Sequence, residues 1–415
     1  MALRSRLLLQ PYGAAIIDPR AKVYFLNETA ADIALALVDG CTPEQATDRI
    51  ATIYEITRSE AQPDIEDFLQ HSEVAPLLRT ADKQAWDVLG SDEYTSIVEA
   101  DICLTNQCNL ECSYCYAEAG KAKNGELSPE QWVETARTLI RLGMRKATVA
   151  GGEPTLSKAF FSILEVLVEH GVAVQLFTNG LLIKDSTVSR LKEIPINFVQ
   201  ISLDSTREED HNRYRGHSHS LALRAIRLLA SSGIPVVIGA NIFPDTIAEV
   251  SRLAELADST GASLRCNAIE ARGRAARFDE NETVVNESFT AAIARSVEDA
   301  SGRYPHVFAE QEVSRTLETH ERICPFSKGC IAVTALGEIR PCSQADTFFK
   351  SVAPWAMDNK KVCEYSTTIE EHTAFSTIAA IRPEVCPTKD ICGSCGKYPI
   401  CTGCLPAGHT CKERR

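Results

Sequence analysis

Short apolar runs alternate with amphipathic segments through the middle of the chain, from about residue 99 to residue 310. The runs have strand length, and the segments between them repeat their apolar residues with helical spacing. This pattern predicts six strands, over 102–105, 147–150, 172–177, 198–203, 235–241 and 263–269. Helices are predicted between them, over 128–143, 157–170, 220–231 and 246–259. Such alternation is typical of a parallel sheet with right-handed crossovers, so the sequence predicts an α/β fold with a barrel-like sheet.

Residues 1–95 show a different pattern. Two short apolar runs, 13–18 and 22–27, flank a turn and predict a hairpin. Three helices are predicted after it, the first two capped by Asn27 and Thr42 and the third over 59–70. A hairpin with three helices in one small module predicts a winged-helix domain.

The other segments are polar or rich in cysteine. Residues 80–98 are polar and acidic and predict a linker. Residues 311–415 are rich in loops, and ten of the sixteen cysteines follow residue 320. The predicted domains are therefore 1–95, 99–310 and 311–415.

Composition and charge narrow the function classes. The 415-residue chain is 24% charged and 44% hydrophobic, as ordinary globular proteins are. Its net charge is −13, and residues 1–95 carry 8 Lys and Arg against 16 Asp and Glu, which opposes binding to a phosphate backbone. No apolar run approaches the roughly 18 residues of a membrane span, and the leucines at 7–9 are too few for a secretory signal. We therefore expect a cytoplasmic protein without a nucleic-acid or membrane partner.

The cysteines predict metal binding, since the cytoplasm keeps thiols reduced and disulfides are rare there. The nine histidines do not alternate closely with the last cysteines, although His409 lies between Cys404 and Cys411, and this favours iron–sulfur clusters over mixed Cys/His zinc sites. Cys41, Cys103 and Cys266 instead lie on or beside apolar segments and are predicted to be core thiols. Cys266 has one alternative, because alternate residues of its strand could face the barrel lumen.

Three cysteines, Cys108, Cys112 and Cys115, are separated by three and then two residues. Three thiolates on one loop would leave one iron of a four-iron cluster open, whereas structural clusters and structural zinc sites take four ligands. Tyr114 precedes the last cysteine, and Gly151-Gly152-Glu153-Pro154 follows one predicted helix and one strand later. Together these motifs resemble those of the radical S-adenosylmethionine (SAM) enzymes. A zinc knuckle or chance spacing is the alternative.

The resemblance implies a partial (βα)6 barrel that holds SAM at the carboxyl ends of its strands. The implied SAM contacts are Tyr114, Gly151, Gly152, Glu153, Pro154, Asn179, Ser202 and Arg215. In the family, the aromatic residue packs near adenine, the Gly-Gly-Glu-Pro strand end contacts the methionine amine, and the position of Arg215 meets the SAM carboxylate. Asn179 and Ser202 match positions that contact ribose and carboxylate groups. Asn179 could equally form a turn, and Arg215 could be a solvated surface residue.

The last cysteines resemble the SPASM extension of radical SAM enzymes, which binds two auxiliary clusters. The resemblance assigns Cys324, Cys330, Cys342 and Cys404 to the first cluster, and Cys392, Cys395, Cys401 and Cys411 to the second. Two residues separate Cys401 from Cys404 where the family usually has three, so the partition stays open, and Cys363 and Cys386 are unassigned. A pair of zinc ribbons is the alternative. The implied cofactors are SAM and three [4Fe-4S] clusters.

Within residues 1–95, the pattern around Tyr24-Phe25-Leu26-Asn27 resembles the recognition element that binds leader sequences of ribosomally made, post-translationally modified peptides. The resemblance implies that a leader adds a strand to the edge Lys22–Leu26, beside the helix Ser59–Gln70. Backbone hydrogen bonds would then supply affinity, as in other β-augmentation complexes. A structural cap on the barrel is the alternative.

These resemblances together imply a peptide maturase of the sactipeptide or ranthipeptide type. SAM would yield a 5′-deoxyadenosyl radical that removes a hydrogen atom from the peptide, with electrons from a donor such as flavodoxin or ferredoxin. A cysteine thioether is the expected crosslink, and a C–C or C–O link is second. The rival interpretations are an enzyme that oxidises a residue of a folded protein, as anaerobic sulfatase maturases do, and a non-catalytic iron–sulfur or zinc protein. Asp204 and Glu270 are possible general bases, and residues 272–274 match the adenine-side loop.

Overall fold

The computed structural model describes residues 5–10, 13–17, 23–79, 86–90, 97–141, 143–269, 273–278, 287–308 and 330–340. Within these ranges the strands form two sheets, one of four strands and one of eight. No helix in the same ranges is both long and apolar enough to cross a bilayer.

The N-terminal residues form the four-stranded sheet and four helices. Its strands are β1 (Ser5–Gln10), β2 (Gly13–Ile17), β3 (Val23–Leu26) and β4 (Trp86–Gly90). The helices are α1 (Glu28–Val38), α2 (Pro43–Ile53), α3 (Arg58–His71) and α4 (Ala75–Arg79). The strand order is β3–β2–β1–β4, in which β1 pairs antiparallel with β2 and parallel with β4. The strand β3 therefore lies at an edge of this sheet.

Local capping fixes the helix starts that the sequence predicts. Ala30 N donates to Asn27 Oδ1 over 2.9 Å at the start of α1. Thr42 and Gln45 form a reciprocal capping box at the start of α2, with distances of 2.8 and 3.3 Å. Both caps and the predicted three helices are confirmed.

The prediction of a linker over residues 80–98 is wrong for Trp86–Gly90, which pairs along its length with β1. Polar residues before and after Trp86–Gly90 hid this strand, and β1, whose hairpin partner β2 follows it directly, was also not predicted. The pairing of β4 with β1 joins residues about eighty positions apart, so it cannot be recognised from neighbouring residues.

The second sheet contains the predicted barrel. Its strands are β5 (Glu99–Cys103), β6 (Lys146–Ala150), β7 (Ala173–Thr178), β8 (Phe198–Ser202), β9 (Val236–Ile242), β10 (Ser263–Ala268), β11 (Cys330–Val333) and β12 (Ile339–Arg340). Its helices are α5 (Pro129–Arg141), α6 (Phe160–Glu169), α7 (Asp185–Leu191), α8 (Glu208–Arg215), α9 (His219–Ser231), α10 (Glu249–Thr260) and α11 (Glu287–Ser301). The order is β10–β9–β8–β7–β6–β5–β11–β12, and β5 to β10 are all parallel neighbours. The α/β fold with six parallel βα strands is confirmed.

Two details of this sheet differ from the prediction. The first strand runs over 99–103 instead of 102–105, so Leu104 and Thr105 already belong to the loop that follows it. The hairpin of β11 and β12 lies in the region predicted as the iron–sulfur module, yet it pairs in parallel with β5 and extends the barrel sheet. Leu127 N donates to Ala335 O over 3.0 Å and fastens this hairpin to the barrel.

The packing of the eight-stranded sheet and the direction of its strands determine where a site can lie. One face packs apolar residues such as Ile102, Val149, Leu176 and Ile201 against the helices. All six strands end at the same edge, because they are parallel. Ligand sites of parallel α/β proteins lie at that carboxyl edge.

Candidate active site

The loop that follows β5 carries Cys108, Cys112 and Cys115 at the carboxyl edge of the sheet. Cys108 N donates to Gly120 O over 2.8 Å, and Gly120 N donates to Asn106 O over 3.0 Å. Cys115 N donates to Cys112 O over 3.2 Å. The three predicted cluster ligands therefore lie on one closed loop, which we call the cysteine loop (residues 106–120).

The thiols of this loop influence one another electrostatically. The pKa of Cys108 is raised to about 11, chiefly by burial and also by the charges of Cys112, Glu153 and Cys115, whereas the hydrogen bond from Leu110 N opposes the rise. Burial also raises the pKa of Cys112. Thiolates in such a place need a compensating cation, and iron–sulfur clusters are held by cysteine thiolates, so this donor set fits a cluster. Among the described side chains no three acidic, histidine or cysteine groups converge as the ligands of a single ion do; a cluster instead spreads its thiolates over separate irons.

Gly151 and Gly152 let the end of β6 lie directly against the cysteine loop. Gly152 N donates to Thr105 O over 2.7 Å, and Glu153 N donates to Gln107 O over 2.8 Å. A Cβ on Gly152 would lie 2.3 Å from Gln107 O, and one on Gly151, whose φ is +133°, would lie 2.5 Å from Thr105 O. Only glycine fits this close approach.

Glu153 is fully buried, and its carboxylate receives hydrogen bonds from two strand ends. Oε1 accepts from Thr155 Oγ1 over 2.5 Å and from Thr178 Oγ1 over 2.6 Å, and Oε2 accepts from Asn179 N over 2.8 Å. Burial raises the pKa of Glu153, and these hydrogen bonds oppose that shift. The donors are neutral, and Oε2 keeps acceptor capacity, so the carboxylate suits an ammonium group. The buried Pro154 begins the 3-10 turn Pro154–Leu156 beside it.

Asn179 forms a turn, which is the alternative that the sequence left open. Its Oδ1 accepts from Leu181 N over 3.0 Å, and its Nδ2 donates to Asn109 Oδ1 over 2.8 Å. The side chain therefore ties the end of β7 to the cysteine loop. Ser202, the last residue of β8, lies half-buried at the same edge of the sheet.

Tyr114, Asp204 and Arg215 form a buried network beside Cys112. Tyr114 Oη donates to Asp204 Oδ2 over 2.5 Å and accepts a short hydrogen bond from Arg215 Nη1. Arg215 Nη1 also lies 3.6 Å from Asp204 Oδ1, which accepts from Asn241 N over 3.0 Å. Arg215 is only 8% exposed, so it is not the solvated surface arginine of the alternative interpretation.

The electrostatics of this network fix its protonation. Burial raises the pKa of Tyr114 well above its ordinary value, so the phenol stays neutral and donates. Burial alone would lower the pKa of Arg215, but Tyr114 and Asp204 raise it above its ordinary value. The engagement of both Asp204 oxygens argues against the general-base role considered for it; Glu270, the other candidate, lies outside the described residues.

Glu126 braces the cysteine loop and was missed by sequence reasoning. It accepts from Thr105 Oγ1 over 2.7 Å, from Asn106 N over 2.9 Å and from Lys123 N over 2.8 Å. Its first two partners are about twenty positions away in sequence, and no motif marks it.

Arg274 also braces the cysteine loop. Its Nε donates to Cys112 O over 2.7 Å, and its Nη1 donates to Ala119 O over 2.9 Å. A Cβ on Gly273 would lie 2.4 Å from Tyr116 O, so this segment also packs against the loop backbone. The predicted adenine-side loop therefore includes a residue that supports the cysteine loop; Arg272 is not among the described residues.

Among the remaining cysteines, the structure describes Cys330 of the predicted auxiliary ligands, and Cys266. Cys330 is the first residue of β11. The other predicted auxiliary ligands lie outside the described residues: Cys324, Cys342, Cys392, Cys395, Cys401, Cys404 and Cys411, as do Cys363 and Cys386. Cys266 packs against the apolar core, and burial raises its pKa to about 12. Its contact with the core agrees with the predicted core thiol, although the residue is half-buried and not fully enclosed.

The predicted leader-binding elements are both present. The edge strand is β3, although Lys22 falls outside the described residues, and the helix predicted over 59–70 is α3. Among the described strands, β3 pairs only with β2. The predicted edge strand is therefore the terminal strand of the described four-stranded sheet.

Comparison with family profiles identifies two regions of the chain. The profile of the radical SAM superfamily matches residues 102–257, and that of coenzyme PQQ synthesis protein D (PqqD) matches residues 13–77. These matches confirm the radical SAM resemblance and the resemblance of the N-terminal module to a peptide recognition element.

The names of individual relatives refer to maturation and biosynthesis. The sporulation killing factor maturation protein SkfB of Bacillus subtilis (strain 168) is 32% identical over 260 residues, which are 61% of this chain and 62% of SkfB. The antilisterial bacteriocin subtilosin biosynthesis protein AlbA of the same strain is 26% identical over 327 residues, 77% of this chain and 71% of AlbA. The crystal structure of Streptococcus suis SuiB bound to its precursor peptide SuiA has a TM-score of 0.66 at 15% identity, covering 97% of this chain and 94% of that one. This last likeness concerns the fold alone.

Proposed function

Because the chain carries a domain of the radical SAM superfamily over residues 102–257, we propose that it is a radical SAM peptide maturase. It binds a ribosomally made precursor peptide by its leader and installs a crosslink on the core of that peptide. The product is a thioether from a cysteine sulfur to a carbon, with a C–C or C–O link as the second choice.

The observation that carries this proposal is the construction of the cysteine loop. Three thiols, of which Cys112 is buried and the other two are half-buried, share one closed loop. Backbone hydrogen bonds join Gly152 and Glu153 to Thr105 and Gln107 at the start of that loop. Cys108, Cys112 and Cys115 hold a four-iron cluster with one open iron, Glu153 takes the ammonium group of SAM, and Arg215 takes its carboxylate. Cys330 and the seven other predicted auxiliary cysteines hold two further clusters.

When bound, the cluster and SAM supply one electron and an oxidant that removes a hydrogen atom from an unactivated carbon. A thioether product would leave the C–H hydrogen on 5′-deoxyadenosine, release the thiol proton and return one electron to an iron–sulfur cluster, so that the two lost hydrogen atoms are accounted for. The chain's own residues position the reactants and exclude water from the site.

The leader binds at β3, where it adds a strand to the four-stranded sheet beside α3. The PqqD match over residues 13–77 supports this role, and so does SuiB, a protein of similar fold that was crystallised with its precursor peptide bound. A recognition module of this kind also disfavours the rival enzyme that acts on a folded protein. Because β-augmentation depends on backbone hydrogen bonds, proline substitutions at alternate leader positions should weaken binding more than alanine substitutions do.

The test is an anaerobic assay of the reconstituted, reduced protein with SAM and cysteine-containing precursor peptides. We expect 5′-deoxyadenosine and a peptide that has lost two hydrogen atoms, detected by mass spectrometry. Cys112→Ala is the control and should give neither product. Deoxyadenosine with every peptide unchanged would contradict the substrate class, and its absence from a fully loaded protein would contradict the enzyme class.

A further inference from the structure

The network of Tyr114, Asp204 and Arg215 joins three separate parts of the barrel. Tyr114 belongs to the cysteine loop, Asp204 follows β8, and Arg215 is the last residue of α8. Asp204 is 2% exposed and Arg215 is 8% exposed. A single buried carboxylate therefore links the loop of the predicted cluster to the predicted SAM-binding arginine.

Both carboxylate oxygens and the backbone N–H of Asp204 have hydrogen-bond partners. Oδ2 accepts from Tyr114 Oη, and Oδ1 accepts from Asn241 N. The backbone N–H of Asp204 donates to His211 Nδ1 over 3.2 Å. Tyr114 Oη in turn accepts from Arg215 Nη1, so the hydrogen bonds run in one direction from the arginine through the phenol to the carboxylate.

Arg215 has one group that this network does not use. Its Nε is buried and has no hydrogen-bond partner within the described part of the chain. Buried donors are rarely left without an acceptor, because water can no longer satisfy them. Nε belongs to an edge of the guanidinium that can bind a carboxylate through two parallel hydrogen bonds.

We propose that Asp204 and the hydroxyl of Tyr114 are positioning residues that hold the guanidinium of Arg215 so that its Nε edge receives the SAM carboxylate. This inference rests on the proposed function, in which Arg215 meets that carboxylate. It assigns to Tyr114 a polar role through its hydroxyl, in addition to the ring contact with adenine that the family resemblance implies.

The direction in which Asp204→Asn changes SAM affinity distinguishes an effect of charge from an effect of positioning. Asp204 partly neutralises Arg215, so by charge alone Asp204→Asn would strengthen the attraction between Arg215 and a carboxylate. Positioning predicts the opposite, because an asparagine has one acceptor oxygen in place of the two that Tyr114 and Asn241 now use. We expect the loss of positioning to outweigh the gain in charge.

The experiment measures equilibrium binding of SAM to the full-length, anaerobically reconstituted protein. We expect Asp204→Asn to weaken SAM binding by roughly 10- to 100-fold, the range of one hydrogen bond to a charged group. Tyr114→Phe keeps the Asp204–Arg215 ion pair and should weaken binding by a smaller factor, roughly 3- to 10-fold. The readout specific for positioning is decarboxylated SAM, whose affinity both variants should leave nearly unchanged because it lacks the carboxylate.

Glu249→Gln is the matched control. Glu249 is equally buried, and it accepts from Ser205 Oγ over 2.9 Å and from Thr206 Oγ1 over 2.7 Å in the segment that follows Asp204. It does not contact Arg215, so we expect SAM affinity and iron content close to those of the wild type. This control separates a general loosening of the segment from the loss of a directed contact.

The outcomes are distinct. Unchanged or tighter SAM binding by Asp204→Asn would overturn the inference, and so would an equal loss for SAM and decarboxylated SAM. If Asp204→Asn loses its iron, Tyr114→Phe decides the question. A Tyr114→Phe protein that keeps its iron and loses affinity for SAM, but not for decarboxylated SAM, would support the inference. Without that specific loss, Asp204 would be needed for folding of the site and the inference would be overturned. A wild-type protein that binds no SAM would overturn the proposed function together with this inference, so the two failures can be told apart.

Discussion

Gly152→Ala tests how closely the cysteine loop must lie against the end of β6. The new Cβ would lie 2.3 Å from Gln107 O and 2.8 Å from Asn106 O, and both are backbone atoms that cannot rotate away. Relief requires the two segments to separate, which lengthens the hydrogen bonds Gly152 N to Thr105 O and Glu153 N to Gln107 O. Two weakened hydrogen bonds at about 0.5–1.5 kcal/mol each, with about 1–3 kcal/mol for overpacking, give a loss of about 2–6 kcal/mol in local stability.

The assay has two parts, the urea midpoint of the cluster-free chain and the iron bound per chain after reconstitution. We expect Gly152→Ala to lower both. Gly120→Ala is the control, because Gly120 lies in the same loop, has no positive φ, and has nothing within 4 Å of the position of a Cβ. A Gly152→Ala protein that matches Gly120→Ala in stability and iron content would refute the argument that close backbone contact shapes this site.

Two further predictions concern residues outside the ligand set. Glu126→Ala removes the acceptor shared by Thr105, Asn106 and Lys123, so we expect the free energy of unfolding to fall by about 1–3 kcal/mol. Urea unfolding measures this change, with Glu169→Ala at an exposed position as the control, and equal midpoints for the two variants would contradict the bracing role. Cys266→Ala should leave the iron content unchanged, and the thiol of Cys266, whose pKa burial raises to about 12, should react slowly with iodoacetamide at neutral pH because the reactive thiolate is scarce. Rapid labelling of Cys266 in the folded chain would show that the thiol is not buried.

The sequence predicted best those features whose causes are local. The capping box of Thr42 and Gln45 lies within four residues, and the barrel strands β6 to β10 are within about two residues of their predicted bounds. Apolar runs and caps act over one turn or one strand, so they can be read directly from neighbouring residues.

The features that were missed depend on contacts between distant residues. Strand β4 lies within a polar segment of the sequence and pairs with β1, about eighty positions earlier. Arg274 reaches Cys112 across more than 150 positions. Helix α8 lacks an apolar stripe because most of its residues are charged, so hydrophobic periodicity does not mark it. Pattern reasoning identified the residue types of the site, and the three-dimensional fold supplied the partners that orient them.

The hydrogen bonds that brace the cysteine loop should keep the loop folded when its cluster is lost. In classical zinc fingers the metal organises the chain, and its removal unfolds the domain. Here Glu126, Arg274, Gly152 and Asn179 hold the loop through hydrogen bonds to protein groups alone. If oxygen destroyed the cluster, the cysteine loop would therefore keep its fold. Iron and sulfide supplied afterwards could rebuild the cluster without refolding of the barrel.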